Sequence, residues 1–277
     1  MEQLIQGSGK EPYLSPEEKW EKATIANNFI FYKVMRNNPE VCKELLEILL
    51  EIQIDHIEIK QEDTVEIDYG KKGIRLDVYA TGTDKAFNLE MQTSDTGELP
   101  ERSRYYQGMI DVDDLNSGQD YKELKDSYII FICKPDIFGK GLAKYTFENL
   151  CIENPKIKLN DRAYKYFFIA TNYDKMLKEE QRSFLKLVTS NKSTGKFANK
   201  ISKLVEDAKH NTQWRKQFME WERQMAYKFR EGVQEGKQEK AQETAAELLK
   251  MNLLTKEQIS QATGLSLPEI QKLAERK

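Results

Sequence analysis

Arg75–Gln92 reads RLDVYATGTDKAFNLEMQ. Two alternating segments, about Ile74–Ala80 and Phe87–Gln92, flank TGTDK (Thr81–Lys85), in which Gly82 and Asp84 are turn formers, so the stretch predicts a β-hairpin. Side chains alternate faces along a strand. Asp77 and Tyr79 therefore share a face with Asn88, Glu90 and Gln92, while Leu76, Val78, Ala80, Phe87, Leu89 and Met91 form the opposite, apolar face. Pairing Asp77 directly with Glu90 centres the hairpin between Thr83 and Asp84, inside the turn, so turn and alternation agree on one register. In that register the two Cβ atoms lie ~5 Å apart.

Two carboxylates so close repel each other beside a core unless a cation compensates them. A hard divalent ion such as Mg²⁺ suits the pair, because it takes oxygen ligands from one or two carboxylates, waters and a substrate phosphate. The plainer reading is a solvated strand face, with Asp77 and Glu90 paired to Arg75 or Lys85. From the two residues alone, that reading comes first.

Outward from the hairpin, PEVCKELLEILLE (Pro39–Glu51) spaces Val41, Leu45, Ile48 and Leu49 as an amphipathic helix with Pro39 in its first turn, and Ala23–Met35 reads as another helix before it. IQIDHIEIK (Ile52–Lys60) alternates like a strand but shifts phase near Asp55 and His56, which a bend or a late start explains. After the loop TSDTGELP a helix is expected over Glu101–Leu115. SYIIFIC (Ser127–Cys133) is apolar throughout, as for a central strand buried on both faces, and Tyr164–Thr171 is a further strand. Helix, three strands, helix, strand, strand gives an α/β core with a mixed sheet flanked by helices.

From Lys178 strand signals stop. The expected organisation is a domain over 1–177, a charged helical extension over 178–240 and a small helical, helix-turn-helix-like tail over 241–277. In the tail, Thr255-Lys-Glu-Gln258 and Ser266-Leu-Pro-Glu269 both match a capping box, with Gly264 between them. With only Lys272, Arg276 and Lys277 as bases, a helical hairpin in a self-associating tail is the better reading than a recognition helix.

Bulk properties narrow the chemistry. The 277 residues carry 43 basic and 46 acidic side chains, a net charge of −3, so any polyanion needs a local basic surface. The densest is NKSTGKFANKISK (Asn191–Lys203), where Lys196, Lys200 and Lys203 share a helical face suited to phosphate contact or simply to solvent. Cys42, Cys133 and Cys151 are odd in number and far apart, and the only histidines are His56 and His210. Buried free thiols follow, and hydrolytic chemistry must rest on carboxylates. GSGK (Gly7–Lys10) and STGK (Ser193–Lys196) both lack the full phosphate-loop pattern, so no nucleotide cofactor is expected. No long apolar run or secretory leader is evident, which makes the cytoplasm the expected compartment and membrane partners unexpected.

The pattern D-x(12)-E-x-Q resembles the PD-(D/E)xK nuclease core in its E-x-Q variant. More narrowly, KKGIRLDVYATGTDKAFNLEMQ, RSRYYQGMIDVDDLNSGQDYKELKDSYIIFIC and TKEQISQATGLSLPEI are similar to the bacterial recombination-promoting nucleases, also called PD-(D/E)xK nuclease family transposases, from about Asn27 onward. The resemblance implies a restriction-endonuclease-like fold and a metal-dependent DNA endonuclease associated with recombination of mobile elements. It implies that Asp77 and Glu90 bind Mg²⁺, with Mn²⁺ as an alternative ion, and that Gln92 ends the motif where a lysine is commoner. Arg102, in the segment after the motif, is a candidate phosphate contact or a surface ion pair. A further acid often comes from the N-terminal helix, with Glu44, Glu47 and Glu51 as undivided candidates. DNA is the implied partner and a homodimer is compatible. The second reading is a catalytically weak DNA-binding or protein-interaction module that self-associates through its helical tail.

Overall fold

The computed structural model describes residues 14–60, 64–65, 74–75 and 77–275. Six strands form one mixed sheet in the order β1 (Glu58–Ile59), β4 (Val78–Thr81), β5 (Lys85–Gln92), β6 (Asp126–Cys133), β8 (Ala163–Ile169) and β7 (Lys144–Phe147); β2 (Thr64–Val65) and β3 (Ile74–Arg75) pair separately. β5, β6 and β8 are parallel, and β1, β4 and β7 are antiparallel to their neighbours.

The hairpin has the expected register. Val78 pairs with Leu89, Tyr79 with Asn88, Ala80 with Phe87 and Thr81 with Ala86, and one step further brings Asp77 opposite Glu90. Gly82 closes the turn by donating its N–H to the Lys85 carbonyl at 2.7 Å. A Cβ there would stand 2.9 Å from the His56 carbonyl oxygen, so the close approach of the segment leading into β1 requires glycine. The first strand differs from expectation: it is two pieces, β3 and β4, with Asp77 in a bend where the chain passes from the small sheet to the large one. Leu76 lies outside the described residues, as does the GSGK stretch. The segment expected as a strand over Ile52–Lys60 is extended only at its end, after a bend at Asp55.

Helices cover both faces. α2 (Asn28–Asn37) starts at Asn27, whose side chain accepts from the N–H groups of Phe29 and Ile30, and packs against β4 and β5. α3 (Pro39–Leu50), α5 (Glu179–Ser190) and α6 (Lys196–Lys209) complete that layer. Gln181 on α5 ties it to α3 by donating to the Ile48 and Leu49 carbonyls at 2.8 and 3.2 Å, satisfying carbonyls that the end of a helix leaves without partners. On the other face lies α4 (Leu99–Asp114), whose Leu99, Tyr106, Met109 and Ile110 share a core with Tyr79, Ile129, Phe131 and Phe167. The face of the hairpin that the sequence marks as a solvated one is thus buried, because α4 lies across it.

α1 (Pro16–Lys22) anchors through Trp20, whose indole donates to the Lys209 carbonyl at 3.3 Å. The edge strand β7 is too short to be evident in the sequence. Its approach is held by Asp136, whose carboxylate accepts from the N–H groups of Phe138, Gly139 and Gly141 and from the Tyr145 hydroxyl, and these donors hold it below the usual carboxylate range.

The chain forms two compact units. One runs from Glu18 to Arg215, so the compositional change at Lys178 falls inside it; the other contains the rest of α7 (Thr212–Met251) with α8 (Lys256–Thr263) and α9 (Leu267–Glu275). In the second unit, Ala245, Ile259, Leu265 and Ile270 form a small core. Thr255 and Gln258 make the capping box, Gly264 turns the chain at φ 75°, and Glu269 accepts from Ser266. The helical hairpin read from the sequence is present. Among the described residues no helix is long and apolar enough to cross a membrane. The cysteines are free, and burial pushes the thiols of Cys42 and Cys133 up to about 12.

Candidate active site

Asp77, Glu90 and Gln92 come together with Arg102 at the edge of α4. The two acids clamp the strand ends reciprocally. The Asp77 N–H donates to Glu90 Oε1 at 3.0 Å, and the Met91 N–H donates to Asp77 Oδ2 at 3.0 Å. Each carboxylate is thereby fixed by a backbone amide of the opposite segment.

Glu90 is 2% exposed. Burial, then the neighbouring charge of Asp77, push its carboxyl up to about 8, against the favourable pull of the Asp77 N–H and of Arg102. A buried acid with this proton affinity holds either a proton or a cation at neutral pH.

Arg102 reaches this pair from the first turn of α4. Its Nη2 donates to Glu90 Oε2 at 3.3 Å and its Nη1 to Gln92 Oε1 at 3.3 Å. Nε and Nη2 also donate to the Tyr106 hydroxyl at 3.2 and 2.9 Å, and the guanidinium lies 5.7 Å from the centre of the Phe131 ring. One turn of helix sets this geometry, because Arg102 and Tyr106 at i and i+4 project from the same side of α4. The guanidinium is held by four groups and is not a surface ion pair. Of the pairings weighed, Lys85 pairs with Asp84 at 2.6 Å, and the side chain of Arg75 lies outside the described residues.

The three candidate acids, Glu44 and Glu47 on α3 and Glu51 at its C-terminal cap, have other partners. Glu44 pairs with Lys200 at 2.6 Å, Glu47 pairs with Lys43 and accepts from the Ile54 N–H, and Glu51 accepts from Gln181 and pairs with Lys178. Among the described residues no three metal-ligating side chains converge. The donor set is therefore two carboxylates, and it still fits a hard divalent ion, which commonly takes its remaining ligands from water and phosphate. The chemistry fits as well, since a cation resolves the mutual repulsion of Asp77 and Glu90.

Lys196, Lys200 and Lys203 stand exposed along α6, on the helical layer that covers the other face of the sheet, and Lys200 is paired with Glu44. The structure does not bring them to the carboxylates. Sequence reasoning missed Tyr106 as a partner of Arg102; the i, i+4 spacing of the two in RSRYYQ was the available signal.

Searches of curated proteins and of solved structures returned no match. The family model described as PD-(D/E)XK nuclease family transposase matches residues 27–262, which takes in the hairpin, α4, the central strands and most of the helical tail. With that extent of match and a mixed sheet flanked by helices, the chain belongs to the PD-(D/E)XK nuclease family transposases.

Proposed function

We propose that this protein is a metal-dependent DNA endonuclease, with Asp77 and Glu90 holding Mg²⁺ or Mn²⁺ and with Gln92 and Arg102 acting on the phosphate. Nucleases of this superfamily generally use divalent metals, and the family links the chain to mobile elements. The observation that carries the reading is Glu90: a nearly fully buried carboxyl, locked opposite Asp77 by two backbone hydrogen bonds, at the E of D-x(12)-E-x-Q. A fold under no functional demand gains stability by replacing such a pair with apolar side chains.

When bound, the ion activates a water and neutralises charge building on the phosphate. The residues around it divide the remaining work. Gln92 carries no charge and acts by hydrogen bonding; because its Oε1 accepts from Arg102, its Nε2 is the atom that donates to a water or phosphate oxygen. Arg102 supplies the positive charge that a lysine carries in the commoner motif. Its guanidinium stays protonated, so it stabilises a phosphate but does not take the proton from water. DNA is the proposed substrate, the cytoplasm the proposed compartment and a homodimer compatible with it.

A plasmid-nicking assay tests this. Wild type nicks DNA with Mg²⁺ and not with EDTA, and Asp77→Ala loses ~10³-fold or more, as removal of several kcal/mol of charge stabilisation requires. Equal cleavage by the variant, or none by wild type with Mg²⁺ or Mn²⁺, rejects the reading.

A further inference from the structure

On the same sheet face as the carboxylates, but toward β7 and β8, lies a groove of about 500 Å³. That volume suits one small ligand. α4 borders both places: Arg102 points to β5 and β6, while Ser103 and Arg104 line the groove. Two residues apart at 3.6 residues per turn, Arg102 and Arg104 project from opposite sides of the helix.

The groove is built from two kinds of group. Its apolar part is a box of three rings, with Phe138 5.3 Å from Phe147 and 5.1 Å from Phe167, and Phe147 5.8 Å from Phe167. Phe147, at the end of the edge strand β7, is 43% exposed. Its polar part is Lys165, the direct cross-strand partner of Phe147, and Arg104. Neither cation makes an ion pair or a side-chain hydrogen bond among the described residues. Lys165 is half-buried, and burial lowers its proton affinity against the opposing pull of the Asp161 and Asp111 carboxylates. The one carboxylate at the rim, Glu148, is neutralised by Lys158 at 2.6 Å. An exposed ring beside two cations without a close ion pair is complementary to a flat aromatic group bearing an anion.

We infer that this groove binds one unpaired nucleotide of a DNA strand, its base stacked on Phe147 and its phosphate between Lys165 and Arg104. A paired base is already stacked within its duplex, so the groove selects single-stranded or locally opened DNA. α4 thus borders the groove through Arg104 and the carboxylates through Arg102, so both lie on one face of the sheet. The inference deepens the nuclease reading and rests on it for the identity of the ligand.

Fluorescence anisotropy in EDTA, with labelled single-stranded and double-stranded oligonucleotides of one sequence, separates binding from cleavage. Phe147→Ala is expected to weaken single-strand binding by about tenfold, as loss of one stacking contact does, and duplex binding by less than about twofold. Phe147→Leu, which keeps the packing on Phe138 and Phe167, shows the same selective loss and excludes misfolding. Lys165→Gln lowers the slope of log affinity against log salt by about 0.7 for the single strand. Equal losses for both DNA forms, or no loss in either phenylalanine variant, overturn the inference. Nicking by a wild type whose single-strand binding ignores Phe147 rejects the groove and leaves the nuclease; Phe147-dependent binding without any nicking does the reverse.

Discussion

Leu89 and Glu90 are neighbours on β5, buried to 1% and 2% exposure, on opposite faces of one sheet. Leu89 faces the layer of α2, α3, α5 and α6, where burial of apolar surface contributes stability directly. Glu90 faces α4, where the same degree of burial raises its proton affinity to about 8 and makes Asp77 an unfavourable neighbour. Equal depth thus has opposite consequences. One face of the sheet holds the fold together, and the other uses part of that stability to keep two carboxylates and a guanidinium in fixed relation.

Substitutions on the two faces should separate these roles. Leu89→Ala is expected to cost about 2–5 kcal/mol of unfolding free energy in urea, with whatever folded protein remains keeping its cleavage rate. Glu90→Gln should do the opposite, losing cleavage while stability at pH 7 changes by only about 1 kcal/mol, since the amide retains an acceptor for the Asp77 N–H. If Glu90→Gln unfolds the protein as Leu89→Ala does, the two faces are equivalent and the contrast is lost.

Arg102→Ala sharpens the comparison within the α4 face. It removes the contacts to Glu90, Gln92 and Tyr106, and kcat should fall by ~10², the size of one oriented donor at a developing charge. Arg102→Lys restores the charge without the fork of donors and should recover part of the loss. Steady-state kinetics on a labelled duplex measures both. Smallest is the effect expected from the face that carries α6: Lys196→Gln with Lys203→Gln should weaken DNA binding by less than about tenfold, reduce the salt slope by at most about two, and leave the cleavage rate of bound DNA unchanged.

Much of this was legible in the sequence. Alternation and a glycine turn gave the hairpin and its register, because a one-residue slip would have moved every side chain to the wrong face. Capping residues gave α8 and α9, whose ends are determined by local hydrogen bonds. What was not legible was long-range. Nothing in RLDVYATG signals that β3 and β4 belong to different sheets, or that Asp77 occupies the bend between them. The burial of Glu90 depends on α4 crossing the hairpin, and the engagement of Glu44 by Lys200 depends on α6 docking on the same helical layer as α3. The segment after Lys178 read as a charged helical extension, yet α5 and α6 carry buried faces, including Phe184 and Phe197, that belong to the sheet-bearing unit.

The central claim is that Asp77 and Glu90 together bind a divalent cation, and calorimetric titration of the metal-free protein with Mn²⁺ across pH tests it most directly. Because Glu90 retains a proton up to about pH 8, the ion must displace that proton at lower pH. Wild type should therefore bind with an affinity that rises by about tenfold per pH unit toward pH 8 and then levels, releasing a proton below that point. Asp77→Asn and Glu90→Gln, folded by circular dichroism, should show no such binding. Unchanged affinity in either variant, or wild-type affinity independent of pH between 6 and 8, would contradict the account.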